Sequence, residues 1–349
     1  MEYVKLGNSD LNASRICLGC MGFGDSKNGQ HSWTVGENET RAIVKRALES
    51  GINFFDTAIA YQNGTNEQYL GRAVKDFSRR EDVIIATKFL PRTPDEIKND
   101  ISAKEHIDNM VNKSLENLGT DYIDLYIYHM WDWNTPIYDI VAALDGIVQS
   151  GKVRYIGISN CFAWQIAKAN YLAEREGFAK FISVQSHYNL IFREEEREMM
   201  QYCSEENIAM AAYSPLASGR LSRMEDNKTK RAVEDSYAKF KYDSTKKQDG
   251  LIINRVFELA QKYNVTMSEV AISWLLEKVA CPIVGATKLE HMDAPCKALD
   301  LKLTKEDIDY LEEQYIPHSL SGVMAQNRPQ NATKTHIWHS ANTNIGVKI

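Results

Sequence analysis

The sequence predicts an α/β protein of the (β/α)8 TIM barrel class, in which eight parallel strands close into a barrel surrounded by helices. Eight short apolar runs recur along the 349 residues, most of them about 30 to 40 residues apart. Amphipathic stretches of helical spacing separate these runs. The alternative is a doubly wound open sheet, but the Gly-x-Gly-x-x-Gly turn typical of that fold does not follow the first run.

The predicted strands are near-continuous apolar runs rather than alternations of apolar and polar residues. This pattern is typical of parallel strands that are buried on both faces. The spacing leaves room for one strand, one helix and two loops in each repeat. The eight runs are residues 14–20, 52–58, 82–88, 122–129, 153–159, 181–186, 208–214 and 281–286.

The segments between the runs carry the signals of amphipathic helices. In residues 39–51, apolar side chains recur at helical spacing, and the segment ends at Gly51, a residue favoured just after a helix. Further helices are predicted at residues 104–119, 135–151, 162–176, 194–207, 251–263 and 267–279.

We interpret residues 1–349 as a single barrel domain whose core spans about residues 1–315. Two segments do not fit the strand–helix repeat. Residues 218–250 form a long polar insert after the seventh strand, and residues 317–349 form a loosely patterned tail. A domain of this length lies within the usual range of such barrels.

Composition and charge exclude several classes of partner. The formal net charge is −6 and the pI is about 5.8, which argues against nucleic acids and anionic membranes as partners. No apolar run approaches the roughly 20 residues of a membrane span, and the first residues lack the apolar core of a signal peptide. We therefore expect a cytoplasmic protein.

The six cysteines do not indicate a metal centre. Cys17 and Cys20 form a Cys-x-x-Cys pair, but no second pair of ligands stands at the spacing of a zinc site. In a strand, residues three apart also point to opposite faces. We expect no bound metal.

Polar residues end several of the predicted strands. Asp56, Lys88 and His129 lie at the carboxyl ends of the second, third and fourth predicted strands, and Tyr61 lies five residues beyond Asp56. Each has an ordinary structural explanation, as a helix cap, a solvent-seeking lysine, a structural histidine or a packed loop residue. The carboxyl ends of the strands of such a barrel meet at one mouth, where active sites lie. The shared location therefore favours a catalytic group.

The four side chains suit the reduction of a carbonyl group once a hydride donor is present. A phenol has an ordinary pKa near 10, and a nearby ammonium lowers that pKa by favouring the phenolate. Lys88 can supply this charge to Tyr61, and Asp56 can hold the ammonium. Neutral His129 can donate a hydrogen bond to a carbonyl oxygen. Acyl transfer and glycoside hydrolysis are disfavoured, because neither a paired nucleophile and base nor a second carboxylate accompanies the set.

These residues resemble those of the aldo-keto reductase superfamily. The stretch GINFFDTAIAYQNGTNEQYLGRA, residues 51–73, is similar to its Gly-x-x-x-Phe-Asp-Thr-Ala signature and the Tyr and Asn-Glu-x-x-Leu-Gly that follow. Residues 84–88 and 124–129 resemble two further signatures, and the resemblance covers about residues 1–315. It implies that Tyr61 is the proton donor, that Lys88 and Asp56 adjust its pKa, and that His129 orients the substrate.

The resemblance also implies a nicotinamide cofactor, with NADP(H) favoured over NAD(H). A lysine at the site of the adenosine 2′-phosphate supports this preference, although His291 replaces the family's usual glutamine and a different phosphate contact stays open. The implied residues are Ser159, Asn160 and Gln185 at the carboxamide, Tyr213 against the nicotinamide ring, Ser214, Leu216, Ser218 and Arg220 at the pyrophosphate, and Gly285, Thr287 and Lys288 at the 2′-phosphate.

A narrower resemblance points to the bacterial and fungal branch that is similar to aryl-alcohol dehydrogenases, whose usual substrates are small aldehydes and ketones. That branch usually has arginine after the catalytic histidine, whereas this chain has Met130 followed by Trp131 and Trp133. The two tryptophans either wall an apolar pocket or pack at the rim. The motifs that carry this resemblance are residues 31–40, 187–198 and 315–322.

Several alternatives stay open at the level of sequence. The same residues occur in proteins resembling the regulatory β-subunits of potassium channels, which bind the cofactor with little turnover, and a barrel hydrolase or lyase would bind no nucleotide. The insert 218–250, rich in Lys and Arg, either folds over the cofactor or forms a surface loop. The tail 317–349 covers the pocket mouth, mediates oligomer contacts or does neither. Neither the physiological substrate nor the oligomeric state follows from the sequence.

Overall fold

The structure, a computed structural model, describes residues 1–224 and 234–327. Eight parallel strands form a closed barrel in the order β10-β3-β4-β5-β6-β7-β8-β9. Each of the eight predicted runs coincides with one of these strands, although β5 and β8 each extend one residue beyond their runs, so the predicted (β/α)8 fold is confirmed. The strands are β3 Cys17–Gly19, β4 Phe54–Asp56, β5 Ile84–Phe89, β6 Ile123–Tyr128, β7 Val153–Ser159, β8 Phe181–His187, β9 Ala209–Tyr213 and β10 Cys281–Gly285.

A short antiparallel hairpin precedes the barrel. Its strands are β1, Tyr3–Lys5, and β2, Asn12–Ser14. Leu6 and Leu11, which lie between them, are buried in the same apolar cluster as the first inward-facing residues of the barrel strands. The hairpin therefore covers the amino-terminal end of the barrel, and the carboxyl-terminal end is the open one.

Helices follow the barrel strands and surround them. Helix Ala103–Leu118 shows why these segments are helical: the Ser102 side chain accepts a hydrogen bond from Glu105 N, and Gly119 ends the helix at φ 64°. None of the described helices combines the length and the apolar character needed to cross a membrane. The helices in these residues are α1 Glu37–Glu49, α2 Thr65–Phe77, α3 Pro94–Lys98, α4 Ala103–Leu118, α5 Ile137–Gln149, α6 Ala163–Glu176, α7 Met199–Glu205, α8 Ser236–Tyr242, α9 Lys246–Tyr263, α10 Met267–Leu276, α11 Asp293–Ala298, α12 Lys305–Glu312 and α13 Val323–Gln326.

Alternation along the strands divides the core into two apolar clusters. Phe54 belongs to the cluster inside the barrel, whereas its neighbour Phe55 packs outward against the helices. In β5, Ile84 and Ala86 likewise face inward. Because inward-facing residues recur at every second position, the next inward residue lies at the open end of each strand. In several strands this residue is polar.

The predicted helix at 194–207 is divided in two. Residues 194–197 form a turn of 3-10 helix, and the backbone leaves the helical conformation at Glu198, with φ −146° and ψ −47°, before α7 begins. Glu194 accepts hydrogen bonds from Tyr315 and from the backbone of His318. These contacts hold the acidic turn 194–197 against the segment that follows α12.

The two segments outside the repeat are only partly described. Within 218–250, α8 forms one helix and the first residues of α9 form another, while residues 225–233 lie outside the described part of the chain. Within the tail, α13 is described, and residues 328–349 lie outside. The division of the chain into core, insert and tail stays a prediction.

Gly71 tests the packing of α2 on α4. A Cβ atom at this position would collide with the carbonyl oxygen of Leu118 and the backbone next to it. We expect Gly71→Ala to lower the free energy of unfolding by about 1–3 kcal/mol, because neither helix can yield without disturbing the core. Urea unfolding measures this change.

Gly146 supplies the matched control, because it lies in α5 with open space around its Cβ position. Gly146→Ala should raise the free energy of unfolding by up to about 1 kcal/mol through helix propensity. Equal effects of the two substitutions would contradict the proposed close contact.

Candidate active site

Four side chains meet at the open end of the barrel, as the sequence analysis predicts. Asp56 is the last residue of β4, Lys88 is the fifth of six residues in β5, and His129 follows β6 directly. Tyr61 begins the short turn that leads from β4 to α2. The structure thus brings together the candidate catalytic residues from three adjacent strands.

The Lys88 side chain is completely buried, and all its described hydrogen bonds run to this cluster. Its ammonium donates to Asp56 Oδ1 at 2.6 Å, to the Thr57 carbonyl at 2.7 Å and to the Tyr61 hydroxyl at 3.3 Å. Burial on its own would lower the pKa of Lys88. The negative charge of Asp56, the proximity of Tyr61 and the hydrogen bonds outweigh it and raise that pKa, so the ammonium stays charged.

The turn at Tyr61 is held by its neighbour Gln62. Gln62 adopts a left-handed conformation, φ 47°, and its side chain is buried. The amide nitrogen donates to the carbonyls of Asp25 and His31, and the amide oxygen accepts from His31 N. The turn and the loop after β3 therefore support each other, and this support places Tyr61 above Lys88.

The pKa of Tyr61 is raised, opposite to the direction expected from Lys88 alone. Burial is the largest cause, the Lys88 charge opposes it, and the Asp56 charge adds to the rise. The expectation was based on the ammonium of Lys88 alone. In the structure, the desolvation of the phenolate outweighs the effect of that ammonium on the pKa. Tyr61 is therefore protonated at neutral pH, and Lys88 stabilises the phenolate that proton donation would leave.

His129 is held as a neutral side chain. Burial, reinforced by the charge of Lys88, lowers the pKa of His129 to about 3. Its ring meets the Tyr61 ring edge-on, with centroids 5.9 Å apart. Its Nδ1 is buried and has no hydrogen-bond partner among the described residues. A neutral imidazole beside the phenol can donate a hydrogen bond without adding a second positive charge.

The residues predicted to contact the nicotinamide carboxamide are linked to this cluster. Gln185 donates to Asp56 Oδ2 at 2.8 Å, and Ser159 donates to the Gln185 carbonyl at 2.8 Å. Asn160, with φ 51°, donates to the His129 carbonyl at 2.8 Å. Strands β4, β7 and β8 are therefore connected at their ends by hydrogen bonds between the predicted site residues.

Tyr213, predicted to stack on the nicotinamide ring, is fixed from two sides. Its hydroxyl donates to Asn160 Oδ1 at 2.9 Å. The ring of His187 lies nearly parallel to it, with centroids 5.4 Å apart, and the ring of Phe192 in turn stacks on His187 with centroids 4.1 Å apart. In the sequence, His187 belongs only to one of the motifs of the narrower resemblance, residues 187–198. Its role in the stack depends on contacts between strands that no local pattern reveals.

The predicted pyrophosphate loop follows Tyr213 and turns sharply. Ser214, Ala217 and Ser218 have positive φ values of 58°, 47° and 56°. Arg220 is bonded to Asp243 at 2.5 Å, and its guanidinium lies 4.9 Å from the ring centroid of Tyr242. Leu216 is the residue before the 3-10 turn Ala217–Gly219. Successive backbone N–H groups in such turns can form a concave site for anions.

The residues predicted for the 2′-phosphate lie at the surface beyond β10. Gly285, the last residue of this strand, and Lys288 are both exposed, and Lys288 approaches Glu290 at 3.4 Å. Thr287 N donates to His291 Nδ1 at 3.3 Å. His291 thus occupies this loop as a hydrogen-bond acceptor where the family's usual residue is glutamine.

The two tryptophans after His129 pack against the C-terminal segment. Trp133 donates to the Asn327 carbonyl at 3.3 Å, and Asn327 donates to the Trp131 carbonyl at 2.7 Å. Trp164, half exposed, lies 6.1 and 6.4 Å from the two rings. The described part of the tail therefore lies over the loop that follows His129, at the rim of the mouth.

Within residues 1–224 and 234–327, no group of three or more His, Cys, Asp or Glu side chains is arranged to hold a metal ion. Cys17 and Cys20 are free and buried, and burial raises the pKa of both thiols well above its ordinary value. Both thiols are therefore protonated, and they behave as small core residues.

Together, the fold and this cluster define a barrel protein with a candidate acid–base site at the carboxyl ends of its strands. Comparison with known proteins identifies its family. A sequence model described as the Aldo/keto reductase family matches residues 15–316, which is most of the chain. The chain belongs to this family, and the resemblance noted in the sequence is confirmed.

Individual relatives cover nearly the whole chain. A Schizosaccharomyces pombe protein whose name assigns it to the aryl-alcohol dehydrogenases is 38% identical, over 92% of this chain and 97% of its own. Versiconal hemiacetal acetate reductase of Aspergillus parasiticus is 37% identical, over 92% and 98%. The solved structure of the thermostable aldo-keto reductase Tm1743 with the inhibitor epalrestat is 26% identical, covers 90% of this chain and 100% of that chain, and has a TM-score of 0.71.

The neutral state of His129 predicts a pH dependence of stability. Its pKa is about 3 in the folded chain and about 6.5 when unfolded, so below pH 6.5 the unfolded chain binds a proton that the folded chain does not. Stability therefore falls as the pH falls through this window. We expect wild type to lose about 1 kcal/mol more than His129→Asn between pH 6 and pH 5, measured by urea unfolding.

The interval from pH 7.5 to 8.5 is the internal control, because His129 is neutral there in both the folded and the unfolded chain. The two stability curves should run parallel in that interval. Curves that also stay parallel down to pH 5 would show that burial does not hold His129 neutral.

Proposed function

We propose that the protein is an NADP(H)-dependent reductase that converts aldehydes and ketones to alcohols and also catalyses the reverse reaction. One observation carries this proposal: the Tyr61 hydroxyl lies 3.3 Å from the buried ammonium of Lys88, which also donates to Asp56 Oδ1 at 2.6 Å. The names of the relatives, as reductases and aryl-alcohol dehydrogenases, support the same class of reaction.

The residues of this chain would move and stabilise one proton. Tyr61 would donate its phenolic proton to the carbonyl oxygen of the substrate as that oxygen gains negative charge. Lys88 would stabilise the resulting phenolate, and Asp56 would keep Lys88 in place. Neutral His129 would orient the carbonyl by a hydrogen bond. In the oxidation direction, the phenolate would take the proton from the alcohol.

A bound nicotinamide cofactor would supply or accept the hydride, and the residues present fit such a cofactor. Tyr213 presents a partly exposed ring next to Asn160 and the catalytic cluster. The loop that follows it has the positive φ values of an anion-binding turn. The exposed ammonium of Lys288 supports the preference for NADP(H), because the 2′-phosphate is the group that NAD(H) lacks.

Tyr61→Phe tests the assignment of the acid. Because the substitution removes only the hydroxyl, we expect the rate of NADPH consumption with a panel of aromatic and aliphatic aldehydes to fall about 10²- to 10⁴-fold. Affinity for NADPH, measured by fluorescence titration, should stay within about twofold. The exposed Tyr171 offers a matched control, and Tyr171→Phe should leave both quantities unchanged.

Each result has a distinct consequence. If Tyr61→Phe retains the wild-type rate, Tyr61 is not the acid. A wild type that binds NADPH but reduces no carbonyl of the panel would instead support the regulatory function seen in potassium-channel β-subunits. A wild type without affinity for NADPH or NADH would overturn the cofactor proposal itself.

Lys288→Met tests the preference for NADPH. Loss of this ammonium should weaken NADPH binding about tenfold, because a charge-assisted bond to the 2′-phosphate is lost, and NADH binding should not change. Lys297→Met, an exposed lysine on α11, is the control. Equal weakening of both cofactors, or no change in either, would contradict the assignment of Lys288 to the 2′-phosphate.

A further inference from the structure

The first turn of helix α2 carries a buried asparagine to which the proposed reaction assigns no role. Asn66 begins the Asn-Glu-x-x-Leu-Gly motif of the family resemblance, and it is the second residue of α2. The residue is completely buried, and the hydrogen bonds of its side chain run to segments outside the helix. Burying an amide is costly unless its polar atoms find partners. The partners therefore indicate what Asn66 does in this fold.

The acceptors around the Asn66 amide fix its orientation. Its Nδ2 donates to the Cys20 carbonyl and, at 2.9 Å, to the Phe23 carbonyl. A carbonyl oxygen only accepts hydrogen bonds, so the amide nitrogen must face these two groups. The amide oxygen then faces Thr57, whose hydroxyl donates to it. Both amide protons and the single hydroxyl proton are used in these bonds, so the Asn66–Thr57 bond has a fixed direction.

Thr57 is held at each of its polar groups. It follows directly after β4, and its backbone N–H donates to the Ala86 carbonyl at 2.8 Å. Its hydroxyl donates to Asn66, and its carbonyl accepts from the Lys88 ammonium at 2.7 Å. The first two bonds fix the backbone and the side chain of the residue. The direction of the third group, the carbonyl that meets Lys88, follows from them.

The Thr57 carbonyl matters because it helps to direct the protons of Lys88. An ammonium carries three protons in a tetrahedral arrangement. Two of them form the short bonds, to Asp56 Oδ1 at 2.6 Å and to the Thr57 carbonyl at 2.7 Å. Two fixed bonds determine the direction of the third, which points to the Tyr61 hydroxyl at 3.3 Å. The contact that stabilises the phenolate therefore depends on where the Thr57 carbonyl lies.

We propose that Asn66 is a positioning residue for the acid. Through the Thr57 hydroxyl it orients the Thr57 carbonyl, and this carbonyl directs the third proton of Lys88 to Tyr61. The inference rests on the proposed function and adds to it a residue of the motif in α2. Asn66 acts through Thr57 and is not itself a catalytic residue. Its loss should therefore lower the rate only as far as that rate depends on the Tyr61 hydroxyl.

Thr57→Val in two backgrounds tests this chain of contacts. The substitution removes the hydroxyl but keeps the carbonyl and the bonds of Asn66 to the other two carbonyls. With saturating NADPH and aldehyde, we expect kcat to fall about tenfold in the wild-type background. In the Tyr61→Phe background, where the phenol is already absent, the same substitution should change the residual kcat by less than about twofold. A general loosening of the site would instead lower both rates.

Three further variants separate this role from a loss of stability. Thr57→Ser keeps the hydroxyl and should retain kcat within about twofold of wild type. Thr40→Val removes another buried hydroxyl, which donates to the Gly36 carbonyl at 2.9 Å in the first turns of α1. It should lower the melting temperature but leave kcat unchanged. Asn66→Ala removes the acceptor of the same bond, and it replaces Thr57→Val if melting shows that variant to be unfolded.

Two results would overturn the inference: a kcat of Thr57→Val within twofold of wild type, or an equal loss in the wild-type and Tyr61→Phe backgrounds. Failure of the wild type to reduce any aldehyde would instead overturn the proposed function, and a wild-type rate in Tyr61→Phe alone would overturn the assignment of the acid. The same set of rates therefore distinguishes failure of the inference from failure of the function on which it rests.

Discussion

The burial of the Lys88 ammonium is the constraint on which the rest of the site depends. A charge with no exposure to water must be compensated by nearby acceptors, and removing one partner of such a pair typically costs about 3–5 kcal/mol. The acceptors here are Asp56, the Thr57 carbonyl and the Tyr61 hydroxyl. Stability and geometry therefore impose the same demand, because the contacts that make the buried charge tolerable also place a phenol beside it.

The sequence predicts the fold and the central cluster well, because both depend on short-range patterns. Phe54 and Asp56 share a face of β4, and Ala86 and Lys88 share a face of β5, so a polar residue two positions after an inward apolar residue must also point inward. Parallel pairing then brings the ends of adjacent strands to one edge, where Asp56 lies opposite Ala86. The residue types, the two-residue period of the strands and the closure of the barrel are sufficient to predict that these side chains lie together.

What the sequence does not reveal depends on contacts between distant segments. The raised pKa of Tyr61 comes mainly from burial, which is a property of the completed fold and not of any neighbour in the chain. The same limit applies to the stack of His187 on Tyr213 and to the bond between Trp133 and Asn327. The Lys241 ammonium donates to Ser214 Oγ across 27 positions of the chain. Its segment appears in the sequence only as a polar insert rich in lysine, and α8 is needed to show which lysine faces inward.

The single positive charge at the centre also determines how its neighbours can act. Because Lys88 is charged, protonation of His129 would place a second cation in the same buried volume, and this repulsion reinforces burial in lowering the pKa of His129 to about 3. The cluster therefore contains one cation, one carboxylate and two neutral proton donors. Such a set can donate a proton and a hydrogen bond to a carbonyl oxygen at neutral pH. After the proton is donated, the cluster differs from its resting form only in the charge of Tyr61. Lys88 thus makes the phenolate tolerable while it keeps the imidazole neutral.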